Sequence, residues 1–416
     1  GLQSGRPAWS PDGRTIAVLR GADAAYSAYS QAVLELVPAD GAGAPRLVAE
    51  SLDRPVSTPT FAADGKSVYV TVTDDRRQHL ARIRVADGVV ERVVAGTRVV
   101  AAYSAPGGAS DGRIAVLAST PDRAAEVFAV ERGGALRQLS RQNDSLFAEL
   151  RLGTTEDFTS RSADGTEVHA VLTRPAGARA GERLPTILYI HGGPNGQDAH
   201  AFSFDRELFA ANGYAVLAVN YRGSNGRGAA FQRAIHADWG NKEVVDLLGA
   251  VDEAVRAGVA DSARLGLGGW SYGGILTDYT IATTTRFKAA ISGAGSALQL
   301  SMYGSDQYIT QYEHELGHPW EKPELWIKLS YPFFKANRIT TPTLYLVGEK
   351  DFNVPAIGSE QMYQALRALG VPTQLVIYPG QFHGITVPSY QVDRLRRYVA
   401  WYDRWLKGGA TQAAQR

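Results

Sequence analysis

The chain has 416 residues, with 43 Lys and Arg against 42 Asp and Glu, a formal net charge of +1, 44% apolar residues and no cysteine. The missing cysteine excludes disulfides, thiolate metal sites and a thiol nucleophile, and the balanced charge, with no long basic stripe, gives no electrostatic case for nucleic acid or an anionic membrane. No apolar run approaches the roughly 18 residues of a membrane span, and the length suits about two domains.

The first third reads as repeated β-structure. Turns at Trp9 to Gly13, Phe61 to Gly65 and Asp111-Gly112 each precede a β-type run, at Thr15 to Leu19, Ser67 to Val72 and Ile114 to Leu117. Their glycines recur at intervals of 52 and 47 residues. Asp-Gly between such runs is a hairpin signal because Gly accepts positive φ. Two further strands are expected in each unit: Ala32 to Val37 with Pro45 to Val48, Leu80 to Val85 with Val89 to Val94, and Glu126 to Val130 with Leu136 to Leu139. A period near 50 residues with several strands each predicts propeller blades, a meandering β-sandwich being the alternative. Three blades do not close a ring, which takes roughly four to eight. The first domain is therefore drawn as a partial β-propeller over 1–145.

A second domain over 146–410 opens with a hairpin at Ala163 to Gly165, and residues 411–416 form a tail. Strands are expected at Thr186 to Ile190, Ala215 to Asn220, Arg264 to Leu267, Ala289 to Ser292, Thr343 to Val347 and Gln374 to Tyr378. Helices at Lys242 to Ala257, Gly358 to Leu369 and Val392 to Leu406 lie between or after them. Short apolar strands alternating with amphipathic helices predict an α/β domain with a mostly parallel sheet covered on both faces, whose functional groups sit at the carboxyl ends of the strands.

Gly269-Trp270-Ser271-Tyr272-Gly273 matches G-x-S-x-G between a strand and a helical stretch. That context makes Ser271 a candidate nucleophile on a sharp turn, with a helix N-terminus behind it. A serine hydroxyl needs a base and the base an orienting acid, in the order Ser, acid, His for this fold. Asp351 follows the strand Thr343 to Val347, and His383 follows Gln374 to Tyr378. Glu349 competes with Asp351, which lies further into its loop. For the oxyanion, backbone N–H donors are expected from Tyr272 and from the loop His191-Gly192-Gly193-Pro194, where Gly192 and Gly193 allow close approach.

The HGGP loop, Asn220 to Ser224, Gly269 to Gly274, Asp351 to Pro355 and the His383 loop together resemble the catalytic domain of the prolyl oligopeptidase family of serine peptidases. The resemblance implies an α/β-hydrolase fold behind an N-terminal propeller, an oligopeptide substrate, no cofactor and the triad Ser271, Asp351 and His383. Family propellers close with about seven or eight blades, so the chain is expected to be the C-terminal portion of a longer protein. His191 resembles acylaminoacyl-peptidase-like members. Asn353 resembles the dipeptidyl branch, where that position holds a substrate carbonyl; the two signals point to different branches. Tyr303, Tyr308 and Tyr312 resemble the region lining the S1 pocket, with core packing the alternative, and Trp270 joins them as a substrate-binding candidate.

His314-Glu315-Leu316-Gly317-His318 matches H-E-x-x-H, but Gly317 and Pro319 break the single helical face that zinc chemistry requires, so no metal site is expected. An ester-cleaving enzyme and a non-catalytic binding module remain the alternatives to a peptidase. A homo-oligomer stays open. The start at Gly1 fits a removed targeting segment as well as a start inside a longer protein. The absence of cysteine suits cytosol and periplasm alike, and the reading tilts slightly to a periplasmic or secreted protein.

Overall fold

The structure is a computed structural model that describes residues 5–21, 24–105, 113–179 and 181–408. The turn expected at Asp111-Gly112 and the tail at 411–416 lie outside the described residues. The chain divides into two compact units. The first takes Gly1–Thr155 with Gln197–Phe204 and Ser224–Ala234; the second takes Glu156–Gly196, Asp205–Gly223 and Ile235–Arg416.

The first unit holds three four-stranded antiparallel meanders, the blade unit of a β-propeller, of which the second and third are joined into one eight-stranded sheet by a parallel bridge between Gln78 and Val99. They are β1 (Ala8–Trp9), β2 (Thr15–Arg20), β3 (Val33–Pro38) and β4 (Arg46–Val48); β5 (Val56–Phe61), β6 (Ser67–Asp74), β7 (Arg77–Arg84) and β8 (Val90–Val94); and β9 (Val99–Ser104), β10 (Ile114–Thr120), β11 (Arg123–Val130) and β12 (Leu136–Gln138). Gly13 and Gly65 both take positive φ at the hairpin turns, as Asp-Gly predicts. Sequence patterning finds three strands per blade; each blade has a fourth, which precedes those three in the chain. In β5 the reason is local. Pro59 cannot donate to a ladder, Thr58 takes φ 51°, and the pairing with β6 shifts register between Ser57 and Thr60. The apolar alternation that marks a strand is interrupted there.

Successive blades share cores. Ala17, Leu34 and Leu36 of the first pack with Val56, Val68, Val70 and Ile83 of the second. Leu80 and Val94 pack with Val100, Ile114 and Val116 of the third.

The second unit is built on one eight-stranded sheet. Its strands are β13 (Thr154–Arg161), β14 (Glu167–Arg174), β15 (Leu184–Ile190), β16 (Ala215–Asn220), β17 (Ala260–Trp270), β18 (Ala289–Gly293), β19 (Thr343–Gly348) and β20 (Thr373–Tyr378). Their order is β13-β14-β16-β15-β17-β18-β19-β20. From β16 to β20 every pairing is parallel, and β14 is antiparallel to β16. Strands β16, β18 and β19 are buried at every position. That is why they read as unbroken apolar runs rather than as alternation.

The helices that position the site are α1 (Lys242–Arg256), α2 (Tyr272–Thr283), α3 (Ile309–Glu315), α4 (Ala356–Ala368) and α5 (Pro388–Leu406). From α5, Tyr398, Trp401, Tyr402 and Leu406 pack onto Ile187, Val216, Ile291 and Leu344. Ten of the twelve residues of α2 are buried. The fold is therefore an α/β-hydrolase fold with an N-terminal all-β, propeller-type domain.

Asn220 to Ser224, noted in the sequence as a motif, has a structural task. Arg222 is buried and clamps Asp246 of α1, which is fully buried. Its Nη2 and Nε donate to Asp246 Oδ1 at 2.7 and 3.0 Å, and its backbone N–H donates to Oδ2 at 2.7 Å. Ser162, at the β13–β14 hairpin, adds a hydrogen bond to Asp246 Oδ1 at 2.6 Å. The pair thus ties the end of β16, α1 and the hairpin together. Removing one partner strands a buried charge, so Arg222→Met should lower stability by about 3–5 kcal/mol in denaturant melts. Breaking the exposed Arg397–Asp393 pair of α5 should cost less than about 1 kcal/mol.

Candidate active site

Three of the sheet's loops carry the expected triad, each at the carboxyl end of its strand. Ser271 follows β17 and caps α2 with φ 63° and ψ −126°. A non-glycine residue held there costs about 1–3 kcal/mol and persists only where packing imposes it. The packing is visible on both sides of the serine. A Cβ at Gly269 would lie 2.1 Å from the Ile190 carbonyl oxygen, and one at Gly273 would lie 2.0 Å from the same atom. Only glycine lets β17 and α2 approach β15 this closely. Ser271 N–H donates to Gly293 O at 2.9 Å, which ties the elbow to β18.

Asp351, whose side chain is wholly buried, accepts His383 Nδ1 on Oδ2 at 2.8 Å. Its Oδ1 accepts the backbone N–H groups of Asn353 and Val354 at 2.8 and 2.9 Å. With both oxygens occupied, the carboxylate has one orientation. The competing acid, Glu349, is exposed and accepts Gly380 N–H at 2.7 Å instead. Trp270 donates its indole N–H to the His383 carbonyl at 3.0 Å, so the residue before the serine holds the histidine loop. Its ring lies 6.3 Å from the His383 ring and faces the Arg394 guanidinium at 5.5 Å. These contacts brace the histidine loop, and Trp270 also lines a small pocket with Tyr189, Phe209, Arg394 and Tyr398.

The HGGP loop runs against the serine. A Cβ at Gly192 would sit 2.9 Å from Trp270 O, 3.2 Å from Ser271 Cβ and 3.8 Å from Ser271 Oγ. Gly193 takes φ 135° in the tight turn that follows. His191 stacks on Tyr221 with ring centroids 4.5 Å apart, and Tyr221 Oη donates to the His191 carbonyl at 2.8 Å. Tyr272 opens α2 and is itself buried.

The aromatic candidates divide. Tyr308 donates its hydroxyl to Asn353 Oδ1, which also accepts Gln307 Nε2 at 2.7 Å. The Asn353 carbonyl is thereby engaged and its amide N–H₂ is turned away from those donors. Tyr312 is buried among Trp239, Met302, Leu316 and Trp326 and donates to Asp306; for this residue the structure gives core packing rather than a pocket lining. Tyr303 stands half-buried beside the same cluster, within 3.2 Å of His318 Nδ1 and edge-on to Trp320 and Trp326.

The H-E-x-x-H stretch is not continuously helical. α3 ends at Glu315, and Gly317 takes φ 75°. His314 Nδ1 bonds Thr310 O within its own helix at 2.7 Å, and His318 stacks on Trp320 at 4.7 Å. Glu315 is buried and accepts the Ala237 N–H at 2.9 Å and the Trp239 indole N–H at 2.7 Å. The expected polar loop is thus half helix, and its glutamate is a structural acceptor. Among the described residues no cluster of three His, Cys, Asp or Glu could hold a metal, and no helix is long and apolar enough to cross a membrane.

Sequence reasoning missed two participants. Gln307, the partner of Asn353, lies 46 residues before it. Glu243 accepts the Tyr272 hydroxyl at 2.6 Å. The only sequence signal for Glu243 was an acid in a first helical turn, which reads as a dipole partner.

Comparison with known proteins gives this geometry a setting. The chain is 31% identical over 357 residues to the Uncharacterized peptidase YuxL of Bacillus subtilis, covering 84% of this chain and 53% of that protein. It is 28% identical to Dipeptidyl-peptidase 5 of Porphyromonas gingivalis, covering 96% of this chain and 59% of the relative. The acylaminoacyl peptidase of Pyrococcus horikoshii superposes with a TM-score of 0.85 at 26% identity, over 97% of this chain and 64% of that one. The chain thus spans little more than half the length of these curated relatives. The profile of the prolyl oligopeptidase family matches residues 200–409, half of the 416 residues, and the chain belongs to that family.

Proposed function

We propose that this protein is a serine peptidase that hydrolyses peptide bonds of short peptides through an acyl-enzyme, with Ser271 as nucleophile, His383 as base and Asp351 as orienting acid. The observation that carries the reading is the Asp351–His383 contact at 2.8 Å through Nδ1, on the same sheet edge as a serine in a strained elbow. With Nδ1 held by the carboxylate, the free ring position is Nε2, the one that takes a serine proton. Ser271 Oγ then attacks the scissile carbonyl. The oxygen that gains charge faces the Tyr272 N–H at the head of α2 and the Gly192–Gly193 backbone. His383 returns its proton to the leaving amine, and water, deprotonated by the same ring, releases the acid.

A peptide rather than an ester substrate is supported by the family and by the two similar proteins named as peptidases of dipeptidyl and acylaminoacyl type. The engaged carbonyl of Asn353 also supports it, since the amide N–H₂ of a fixed Asn can donate to a carbonyl of a bound peptide.

Three measurements test the reading. Ser271→Ala should leave the fold intact, abolish fluorophosphonate labelling and lower turnover by about 10⁶; a variant that keeps a tenth of the activity of the unaltered protein overturns the assignment. Asn353→Ala should lower kcat/KM about three- to tenfold on peptides, the value of one neutral hydrogen bond, while sparing a small ester that has no matching carbonyl. Equal losses on both substrates would make Asn353 a support of the Asp351 turn alone. Finally, His318→Ala should retain most activity and a chelator should have no effect; activity lost to chelator and restored by zinc would reverse the reading of the H-E-x-x-H stretch.

A further inference from the structure

A carboxyl group that the triad chemistry leaves unused lies behind the elbow. Glu243 stands in the first turn of α1 and is fully buried. Its Oε1 accepts the Tyr272 hydroxyl at 2.6 Å and the Gly240 N–H at 3.2 Å. Its Oε2 meets no hydrogen-bond partner among the described residues. A buried glutamate in this state is expensive to keep, yet its one side-chain ligand is the residue that follows the nucleophile.

Tyr272 has two ends with different tasks. Its N–H, at the head of α2, is the oxyanion donor of the reading above. Its phenol reaches back to α1 and is pinned there. The Tyr272 ring also lies 6.4 Å from that of Tyr221, whose hydroxyl holds the carbonyl of His191 at the start of the HGGP loop. Both walls of the oxyanion site therefore lean on one aromatic pair, and Glu243 is a fixed point for that pair.

We propose that Glu243 is a positioning residue for the oxyanion site: by holding the Tyr272 phenol it fixes the direction of the Tyr272 N–H. This rests on the serine-peptidase reading. Its consequence reaches beyond packing, because the anchor is titratable. The groups facing Glu243 are Tyr272 and Tyr279 from α2, Tyr331 from the short helix Tyr331–Phe334, and Asp246 from α1 itself. None of these is a cation. The Arg222 guanidinium is committed to Asp246 and Asp164, and Lys242, the chain neighbour, is partly exposed. Burial pushes the Glu243 carboxyl up to about 8. Below that pH the anchor is a neutral acid. As pH rises through it, negative charge appears behind a site that must stabilise negative charge, and the reaction slows.

The stability effect has a defined sign. The folded-state value lies above the ordinary 4.5, so this contribution to stability is complete below about pH 4.5 and is lost as pH rises through about 8.

The test compares Glu243→Gln, Glu243→Leu and Tyr272→Phe in the full chain, reading kcat, KM, the pH profile and inhibition by a peptide aldehyde, whose hemiacetal carries the oxyanion. Glu243→Leu and Tyr272→Phe should lower kcat about 10- to 100-fold, part of what loss of an oxyanion donor costs. They should leave KM within about twofold and weaken the aldehyde by the same factor as kcat. Glu243→Gln, whose amide oxygen still accepts the phenol, should recover kcat to within about threefold. It should also lose both the alkaline fall near pH 8 and the matching pH slope of the melting temperature. A folded Glu243→Leu variant with unchanged kcat and aldehyde affinity overturns the proposal, as does an alkaline limb that persists in Glu243→Gln. Should the Leu variant fail to fold, the Gln pH profile decides. Failure of fluorophosphonate to label Ser271 in the unaltered protein sinks the serine-peptidase reading. A labelled, active protein indifferent to Glu243→Leu sinks only the role of Glu243.

Discussion

The structure of the second unit depends on how closely three backbones approach at Ser271. Strand β17 ends between β15 and β18, and α2 starts at once, so the serine has φ 63° and ψ −126°. The strain is held because the surroundings leave no slack. Gly269 and Gly273 would both drive a Cβ into the Ile190 carbonyl, and Ser271 N–H is tied to Gly293. The same closeness brings Gly192 beside Ser271 Oγ. Elbow and HGGP loop are thus one packing solution: the loop leaves the end of β15, the strand whose carbonyl lies against Gly269 and Gly273.

Burial of α2 has electrostatic consequences. A helix with almost every residue inside must satisfy its polar side chains within the protein. Asp278 receives Ser292 Oγ at 3.2 Å and Tyr345 Oη at 3.4 Å, and burial pushes its carboxyl up to about 8. Glu243 meets the same helix at Tyr272 with a carboxyl raised to the same region. The helix that follows Ser271 therefore carries one carboxyl group, Asp278, and meets another, Glu243, both raised by burial so that they are neutral over much of the acid and neutral range. Asp351 is surrounded by donors: two backbone N–H groups and the imidazole.

The region between β18 and β19 shows how one motif can suggest several chemistries. Its histidines and glutamate match a zinc pattern, and its tyrosines match a pocket lining, but a shared aromatic core decides most of their roles. Trp326 is wholly buried, with Tyr303 and Tyr312 edge-on to it, and Glu315 ties the indole of Trp239 into the same cluster. Tyr308 lies at the margin of this cluster, and its hydroxyl reaches Asn353.

The sequence by itself determined most strands of the second unit's sheet and their mostly parallel arrangement, the hairpin turns at Gly13 and Gly65, and the succession Ser271, Asp351, His383 at the ends of three strands; it did not determine the order in which the strands lie side by side, where β16 precedes β15. These are encoded locally, in runs of apolar residues, in turn glycines and in motifs a few residues long. It also favoured Asp351 over Glu349 from loop position alone. The fourth strand of the second blade escaped because Pro59 and a register shift hide the alternation in β5. The roles of Trp270, Tyr312, Gln307, Glu315 and Glu243 were decided only by tertiary structure. Each depends on a partner far away along the chain: Trp270 on His383, Tyr312 on Trp239, Glu315 on Trp239, Gln307 on Asn353, Glu243 on Tyr272. Whether a tyrosine packs, a tryptophan braces or a glutamate stays neutral is set by the burial and hydrogen-bond partners that folding brings to it, and neither has a period that can be read along a sequence.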